Sequence, residues 1–182
     1  MIQRKYAVVT LITFMIAALL AACSGGGGGS TAPAAAASIV PRYAYVANNG
    51  DNTVSMYTVN AATGQLRANG YVAAGTRPFS VTVDPSGKYA YVANYTSNNV
   101  SAYTIGAGGA LAAVAGSPFA AGAIPYSVTV DPSGQYAYVV NYGSSNVSAY
   151  TIGAGGALAA VTGSPFAAGA GPFSVTTTGT IQ

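Results

Sequence analysis

Short runs that alternate apolar side chains with Ser or Thr recur along the chain between residues 40 and 178. The run at residues 79–83 has the two-residue period of a β-strand, in which successive side chains point to opposite faces. Asp84-Pro85-Ser86-Gly87 follows it, with Asp first, Pro second and Gly fourth, which are the residue preferences of a type I turn. The pattern predicts a strand that ends in a tight turn.

Three further strands are predicted after this turn. Residues 89–94 form the second strand and residues 100–105 the third, with an Asn- and Ser-rich turn between them. A Gly-rich turn then leads into a looser fourth strand at residues 111–120. No helical periodicity occurs after the amino-terminal region, so the pattern predicts four antiparallel strands joined by short turns.

This four-strand unit is repeated along the chain. The second-strand sequences align without gaps at starts 46 and 47 residues apart, and residues 99–122 return almost unchanged as residues 146–169. The aligned segments are Tyr43-Ala-Tyr-Val-Ala-Asn48, Tyr89-Ala-Tyr-Val-Ala-Asn94 and Tyr136-Ala-Tyr-Val-Val-Asn141. A four-stranded meander of about 47 residues predicts a β-propeller blade, which needs neighbouring blades to bury both of its faces. WD40 and kelch repeats are disfavoured because the chain contains no Trp, and a parallel β-helix would have a shorter repeat.

The sequence Tyr91-Val92-Ala93-Asn94 and its two equivalents resemble the YVTN repeat of lactonase-like propellers. The surrounding sequence from Pro78 to Asn94 strengthens the resemblance, which covers about residues 40–178. The resemblance implies an all-β fold, a partial propeller of about three four-stranded antiparallel blades within residues 39–182. It also implies a sugar lactone as the family's substrate class, although these motif residues form strands and turns rather than a site.

The number of repeats is smaller than the family pattern requires. Full-length members of the family resemble seven-bladed rings, whereas this chain has material for three blades. The first repeat lacks its innermost strand, and residues 173–178 predict one additional innermost strand at the other end. Three outcomes stay open: a ring closed by two or more chains, an arc packed against another protein, or a truncated copy of a longer gene.

The amino terminus has the layout of a bacterial lipoprotein signal. Basic Arg4 and Lys5 precede an apolar run of about fifteen residues, which is shorter than the roughly 20 that a membrane-spanning helix needs. Leu20-Ala21-Ala22-Cys23 then resembles a lipobox, in which the Cys is acylated; the alternative is an apolar Cys that lies near a generic cleavage site by chance. We predict a signal peptide at residues 1–22, acylated Cys23 followed by a flexible Gly/Ala/Ser tether at residues 23–38, and localisation to a bacterial envelope. By resemblance to Gram-negative sorting, Ser24 favours the outer membrane.

Composition narrows the classes of partner. Charged residues make up 5% of the chain against a typical figure of about 25%. After the predicted cleavage site, four cationic residues (Arg42, Arg67, Arg77, Lys88) face three Asp residues, which leaves a net charge of about +1. No basic patch could neutralise several phosphates, so nucleic acid is excluded as a partner. The expected partners are the membrane, through Cys23, and either a second copy or an envelope protein or glycan.

Candidate catalytic chemistry is scarce. Lactone hydrolysis needs a base or a metal to activate water and a cation to stabilise the oxyanion, but the chain has neither His nor Glu. Asp84 and Asp131 are explained by their turns, and Asp51 lies in an Asn-rich turn. We therefore predict no catalytic set, no metal site and no cofactor, with Arg77 as the one arginine that the family's chemistry could use.

The turns after the second and fourth strands of each blade should emerge on one face of the ring. Their Asn and Tyr side chains could hydrogen-bond to and stack on a sugar, or bind an extended peptide; the alternative is that they are solvated turns. The candidate ligand face comprises Arg77, Asp51, Asn94, Tyr95, Asn98, Asn141, Tyr142 and Asn146.

Three functional hypotheses follow from these observations. The first is a lipid-anchored envelope propeller that acts as a binding or scaffolding module. The second is a lactonase-like hydrolase of the 6-phosphogluconolactonase type, or a truncated, inactive relative of one. The third is a translated remnant without a role.

Overall fold

The computed structural model describes residues 42–179, which form thirteen strands in three antiparallel sheets. No helix in this part of the chain is long and apolar enough to cross a lipid bilayer. The predicted signal peptide, Cys23 and the tether at residues 23–38 lie outside the described residues. The all-β, partial-propeller prediction is confirmed.

The first sheet has three strands, β1 (Tyr43–Asn48), β2 (Thr53–Val59) and β3 (Leu66–Ala73), in the order β1-β2-β3. β1 pairs only with β2, in a register that places Tyr43 opposite Thr58 and Asn48 opposite Thr53. The edge of β1 that faces away from β2 has no strand partner among the described residues. Within residues 42–179 the first repeat thus has no innermost strand, as the sequence predicts.

The second and third sheets repeat one pattern of five strands. The second contains β4 (Pro78–Val83), β5 (Tyr89–Asn94), β6 (Asn99–Ile105), β7 (Leu111–Ala113) and β8 (Phe119–Ala120). The third contains β9 (Pro125–Val130), β10 (Tyr136–Asn141), β11 (Asn146–Ile152), β12 (Leu158–Ala160) and β13 (Phe166–Ala167).

The fourth strand of each complete blade is divided, so the single strand predicted at residues 111–120 is wrong in this detail. β7 and β8 both pair with β6, one at each end. Between them, Ala102 donates its backbone N–H to Ser117 Oγ at 2.9 Å, so a side chain replaces the strand partner there. Ala149 and Ser164 repeat this bond at 2.9 Å in the third blade.

Apolar side chains between adjacent sheets form the core. One cluster joins Val54 and Met56 of the first blade to Val92 and Tyr103 of the second. A larger cluster, which includes the fully buried Tyr91, joins the second blade to the third. The sheets therefore stack side by side as blades.

Tyrosine hydroxyls connect each blade to the next. Tyr43 donates to Ala107 O, and Tyr45 donates to Gly109 O at 2.9 Å. The second blade repeats both bonds to the third, from Tyr89 to Ala154 O at 2.6 Å and from Tyr91 to Gly156 O at 3.1 Å. The first and second blades thus each place two hydroxyls against backbone carbonyls of the following blade.

The carboxy-terminal segment at residues 172–178 is not a strand, which corrects the prediction of an additional innermost strand at residues 173–178. A strand requires a hydrogen-bonded neighbour, and this segment has no strand partner among residues 42–179. It lies beside β9, where Thr177 Oγ1 donates to Val130 O at 3.3 Å. β9 lies beside β4 in a similar way, since Val128 donates its N–H to Ser80 Oγ at 3.2 Å.

Candidate functional site

Bulges in the innermost strands position the first residues of the site. Pro78 lies opposite Asn94 and Ser80 opposite Ala93, so Phe79 is an extra residue without a partner in the ladder. The third blade has the same shift at Tyr126, between Pro125 and Ser127. A bulge redirects the side chain of its extra residue, and both aromatic rings are at least partly exposed at the start of an innermost strand.

Two tyrosines join these bulge residues from the adjacent turns. Tyr95 follows β5 directly and Tyr142 follows β10, at the end of the sheets where β4 and β9 begin. Their backbone amides are held there, since Tyr95 donates to Arg77 O at 2.9 Å and Tyr142 to Ile124 O at 2.9 Å. Phe173, which follows Pro172 as Phe79 follows Pro78, is the fifth ring at this end of the molecule.

The five rings form a continuous cluster, which we call the aromatic row: Phe79, Tyr95, Tyr126, Tyr142 and Phe173. The Tyr126 ring is the centre, with its centroid 4.0 Å from that of Phe79 and 4.7 Å from that of Phe173. Tyr95 and Tyr142 flank it at 5.8 Å each. These spacings lie within or just below the usual range for interacting aromatic pairs. Phe79, Tyr142 and Phe173 are exposed and the other two rings are partly exposed, so the row presents apolar surface to solvent.

Arg77 lies at one end of the aromatic row. Its Cζ is 5.2 Å from the centroid of the Tyr95 ring, which is within cation–π distance. Its Nε donates to Asn49 Oδ1 at 3.3 Å, and its backbone N–H donates to Asn52 Oδ1 at 2.7 Å. The backbone of Arg77 has a φ of 56°, a left-handed conformation that is uncommon for a residue with a side chain.

The structure brings together three residues of the predicted ligand face, Arg77, Tyr95 and Tyr142. Asp51 is also exposed, but it lies with Asn48, Thr53, Ser55 and Tyr71 beside the outer strands of the first blade. Asn98 is exposed and accepts a hydrogen bond at Oδ1 from the backbone N–H of Ile124 at 2.8 Å. Asp51 and Asn98 are therefore surface residues that are not part of the aromatic row.

Asn94 and Asn141 are fully buried, so the prediction that they face a ligand needs correction. Asn94 donates from Nδ2 to Asn99 Oδ1 at 2.8 Å and to Ser101 Oγ at 2.9 Å. Asn141 makes the matching bonds to Asn146 Oδ1 at 2.7 Å and to Ser148 Oγ at 2.9 Å, so Asn146 is also occupied. The side-chain nitrogens of both residues thus donate within the protein, and these bonds stabilise the hairpin at the end of the second strand.

Asp84 and Asp131 have the structural role that the turn sequence predicts. Each carboxylate accepts hydrogen bonds from backbone amides of its own turn and from a Ser hydroxyl, such as the bond from Tyr136 N–H to Asp131 Oδ1 at 2.8 Å. Desolvation raises the pKa of Asp131, but hydrogen bonds from the Ser133 hydroxyl and the turn amides outweigh it and hold that pKa below its ordinary value. These carboxylates are therefore committed to turn geometry.

Acid–base and metal-binding groups are sparse in the described part of the chain. Residues 42–179 contain no group of three or more His, Cys, Asp or Glu side chains that could hold a metal ion. The chain as a whole has no His, and its acidic residues are three Asp. The arrangement of side chains at the aromatic row thus provides stacking surfaces and one cation.

Sequence reasoning missed Phe79, Tyr126 and Phe173. Each follows a proline at the 47-residue period, Pro78, Pro125 and Pro172, and each is aromatic. We interpreted this position as part of an alternating strand, in which an apolar residue packs inward. The recurrence of an aromatic residue directly after proline was the available signal, but the bulges that turn Phe79 and Tyr126 outward are not apparent from the alternation.

Comparison with known proteins decides the family. The family described as "Lactonase, 7-bladed beta-propeller" matches residues 18–120, which is more than half of the chain. The chain belongs to this lactonase family. A search among curated proteins finds no match.

Three solved structures of similar fold are considerably longer than this lactonase-family chain. A candidate 6-phosphogluconolactonase from Bacteroides fragilis aligns with a TM-score of 0.64 and 22% identity, over 70% of this chain and 36% of that one. A periplasmic gluconolactonase from Pseudomonas aeruginosa aligns with a TM-score of 0.62 and 17% identity, over 73% and 38%. A functionally unknown protein from Desulfotomaculum acetoxidans aligns with a TM-score of 0.57 and 26% identity, over 63% and 35%. The lactonase-family chain spans little more than a third of the length of these proteins.

Proposed function

We propose that this lactonase-family propeller is a binding module that holds a carbohydrate on the aromatic row. The observation that carries the proposal is the aromatic row itself, in which three exposed rings and the partly exposed Tyr95 and Tyr126 have centroid distances of 4.0–5.9 Å, with the Arg77 guanidinium at one end. A soluble protein gains nothing from leaving such a continuous apolar surface in water, and contiguous exposed apolar patches mark ligand or partner sites.

Carbohydrate fits this surface better than a purely apolar ligand. A sugar ring has C–H groups on its faces, which stack on aromatic rings, and hydroxyl groups on its edges, which need hydrogen-bond partners. Tyr95, Tyr126 and Tyr142 each combine an apolar ring with a hydroxyl. Arg77 adds a planar donor group that can bind a hydroxyl or a carboxylate of the sugar. The row therefore offers both kinds of contact side by side.

Calorimetric titration tests the proposal, with cellotetraose and a tetramer of N-acetylglucosamine as probes. Tyr142→Ala should weaken binding at least about fivefold, because loss of a stacking ring costs on the order of 1–3 kcal/mol. Tyr136→Ala is the matched control, because Tyr136 begins β10 and is 38% exposed, whereas Tyr142 follows β10 at its other end and is 39% exposed. Absence of binding to both probes, or equal effects of the two variants, would contradict the proposal.

We infer that the module is attached to a bacterial envelope through acylated Cys23, with the outer membrane as its site. The support is the lipobox-like Leu20-Ala21-Ala22-Cys23 and the Gly-rich residues that follow it. Two or more acyl chains anchor a protein stably to a bilayer. Cys23→Ala should remove the acyl chains, so that the protein is recovered from the soluble fraction or as a precursor that keeps its signal peptide. Mass spectrometry of the wild type should detect a diacylglyceryl group on the Cys23 sulfur. An unmodified thiol in the membrane-bound wild type would refute the anchor.

A second candidate function is hydrolysis of a sugar lactone. Family membership favours it, as do the names of two structural neighbours, a candidate 6-phosphogluconolactonase and a periplasmic gluconolactonase. The scarcity of bases within residues 42–179 argues against it. A colorimetric assay of lactone opening decides between the two functions. Turnover above that of heat-inactivated protein, and its loss in Arg77→Ala, would replace the binding proposal with the hydrolase.

A further inference from the structure

The two terminal blades leave complementary surfaces exposed. We call the side of the first blade that faces away from the second the leading face, and the corresponding side of the third blade the trailing face. At internal joints between blades, Val92 is 0% exposed and Leu111 is 8% exposed. Their equivalents on the leading face, Val46 and Leu66, are 44% and 54% exposed. The leading face therefore has the side chains of a joint without the blade that would cover them.

Hydroxyl groups on both faces also lack the acceptors that internal joints provide. Tyr103 donates to Ala73 O of the preceding blade at 2.7 Å, and Tyr150 to Ala120 O at 2.6 Å. Tyr57 holds the equivalent position on the leading face, and Tyr136 and Tyr138 hold the positions of Tyr89 and Tyr91 on the trailing face. No acceptor from a further blade is present for these three hydroxyls among residues 42–179. Each face thus carries one half of the same kind of joint.

The carboxy-terminal segment has the sequence of the innermost strand that the first blade lacks. Residues 172–176 read Pro-Phe-Ser-Val-Thr, identical to residues 78–82 at the start of β4. In the second blade, Val81 lies opposite Val92 of β5. The same register would place Val175 opposite Val46, on the edge of β1 that is unpaired in the described structure.

A loop amide reinforces this match. Gly75, just before β4, donates its N–H to Oδ1 of the buried Asn94 at 3.2 Å. The sequence positions that correspond to this pair at the open joint are Gly169 and Asn48. Asn48 already donates from Nδ2 to Thr53 Oγ1 at 2.9 Å and to Ser55 Oγ at 2.7 Å, which is the donor arrangement of Asn94. Its Oδ1 is therefore set up to accept a bond from the Gly169 amide.

The geometry points to a second copy of this chain as the occupant of both faces. The trailing face of each copy packs on the leading face of the other, and residues 172–178 of each copy become the innermost strand of the other copy's first blade. Two such joints close two three-bladed arcs into one ring of six blades, a number within the usual range of about 4–8. A head-to-tail contact that closes on itself gives a finite assembly. Phe173 belongs both to this segment and to the aromatic row, but the residues substituted in the test, Val46, Leu66 and Val175, lie outside the row, so the outcome is separate from that of the carbohydrate proposal.

Disulfide trapping between differently tagged full-length chains tests the assembly. One chain carries Val46→Cys and the other carries Val175→Cys; they are expressed together, and their membranes are oxidised. Directly opposed residues of antiparallel strands have Cα atoms about 4.5–5.5 Å apart, which a disulfide can span. We expect a reducible band that carries both tags at about twice the mass of the single mature chain. Its yield should be at least about tenfold above that of Ala112→Cys with Val175→Cys, since Ala112 is exposed on the outer strand of the second blade. Cys23 is present in every pair, so the control also accounts for it.

A disruptive variant gives a second measurement. Leu66→Asp places a charge on the leading face, where the half-exposed side chain contributes little to the fold of one arc. It should abolish the cross-linked band and halve the mass measured by light scattering in detergent, whereas Ala112→Asp should change neither. Equal cross-linking in the Ala112 control, a monomeric wild type, or a 46–175 disulfide within a single doubly substituted chain would each overturn the inference.

Discussion

The backbone amide of Gly75 donates a hydrogen bond to Asn94 Oδ1 at 3.2 Å, and this bond joins the loop after the first blade to the core of the second. The contact leaves no room for a side chain at residue 75. A Cβ there would lie 2.6 Å from both Cγ and Nδ2 of Asn94, and a Cβ at Gly122 would meet Asn141 at the same distances. Each complete blade is thus joined to the preceding loop by a glycine packed against a buried amide.

Gly75→Ala should therefore destabilise the domain. The added methyl group must displace the buried Asn94 side chain, and overpacking of this kind costs about 1–3 kcal/mol. Urea denaturation followed by circular dichroism measures the loss. Gly108→Ala is the control, because a Cβ at residue 108 meets nothing within 4 Å; an equal loss in both variants would refute the packing argument.

Asp131→Ala should destabilise the domain in a pH-dependent way. The folded pKa of Asp131 lies below its ordinary value of 3.8, so its stabilising contribution is complete above that pH. The contribution is lost as the pH falls through the folded pKa. We expect a cost of about 1 kcal/mol at pH 7, kept small by solvent screening at this partly exposed turn.

Thermal unfolding of wild type and Asp131→Ala between pH 7 and pH 2.5 checks this expectation. The difference between the two midpoints should narrow as the solution is acidified. Asp51→Ala serves as a control, because Asp51 is an exposed carboxylate outside the repeated turns. A difference that stays constant down to pH 2.5 would show that the carboxylate charge is not the cause.

Tyr91→Phe tests the tyrosine bonds between blades. The Tyr91 side chain is fully buried, and its hydroxyl donates to Gly156 O at 3.1 Å. Removal of the donor leaves a buried carbonyl without that bond, at a cost of about 1–2 kcal/mol. Chemical denaturation should show this loss in the free energy of unfolding. Tyr71→Phe is the control: the Tyr71 side chain is 74% exposed, so the free energy of unfolding should stay within about 0.5 kcal/mol of wild type.

Tyr45 should make the domain sensitive to alkali. Burial and the neighbouring Tyr43 raise the pKa of Tyr45 from 10.0 to about 12. Because the pKa of Tyr45 is higher in the folded than in the unfolded chain, neutral Tyr45 stabilises the fold fully below pH 10. This stabilisation is lost as the pH rises toward 12. Unfolding midpoints between pH 9 and 12 should fall less steeply for Tyr45→Phe than for wild type, and parallel curves would contradict this assignment.

Arg77→Gly should separate binding from stability. The φ of 56° at Arg77 strains a residue with a side chain, and Gly171 adopts a φ of 61° at the matching position before Pro172. Relief of that strain offsets the greater freedom of glycine in the unfolded chain, so stability should change by less than about 0.5 kcal/mol. Carbohydrate affinity should fall, because the guanidinium over Tyr95 is lost. Calorimetric titration measures the affinity and thermal unfolding measures the stability, so the two effects are distinguished. An unchanged affinity would show that Arg77 is not part of the site.

Much of the fold could be predicted from the repeats. Strand β5 (Tyr89–Asn94) was predicted with its observed bounds, and the turn that begins at Asp84 was predicted with its residues. The divided fourth strand was not, because the Ser117 hydroxyl that substitutes for a ladder partner makes a tertiary contact with Ala102. The segment at residues 172–178 has a strand sequence but no partner strand in the described structure, and sequence alone cannot supply one.

The candidate site was predicted only in part, for two physical reasons. Asn94 and Asn141 end their strands, where surface amides often occur, but Ser101 and Ser148 accept hydrogen bonds from their side-chain nitrogens inside the blade. Phe79 and Tyr126 belong to strands, yet a bulge turns their rings toward Tyr95 and Tyr142. Both errors arise at strand ends, where the two-residue alternation no longer determines which way a side chain points.

The tyrosine-to-carbonyl bonds between blades affect how such a gene can gain repeats by duplication. Each blade has hydroxyl donors on one side, such as Tyr89, and the matching carbonyls on the other, such as Ala107 O. A duplicated stretch of about 47 codons would therefore encode a unit that fits between any two existing ones without compensating mutations. The near-identity of residues 99–122 and 146–169 is what such an insertion would leave behind.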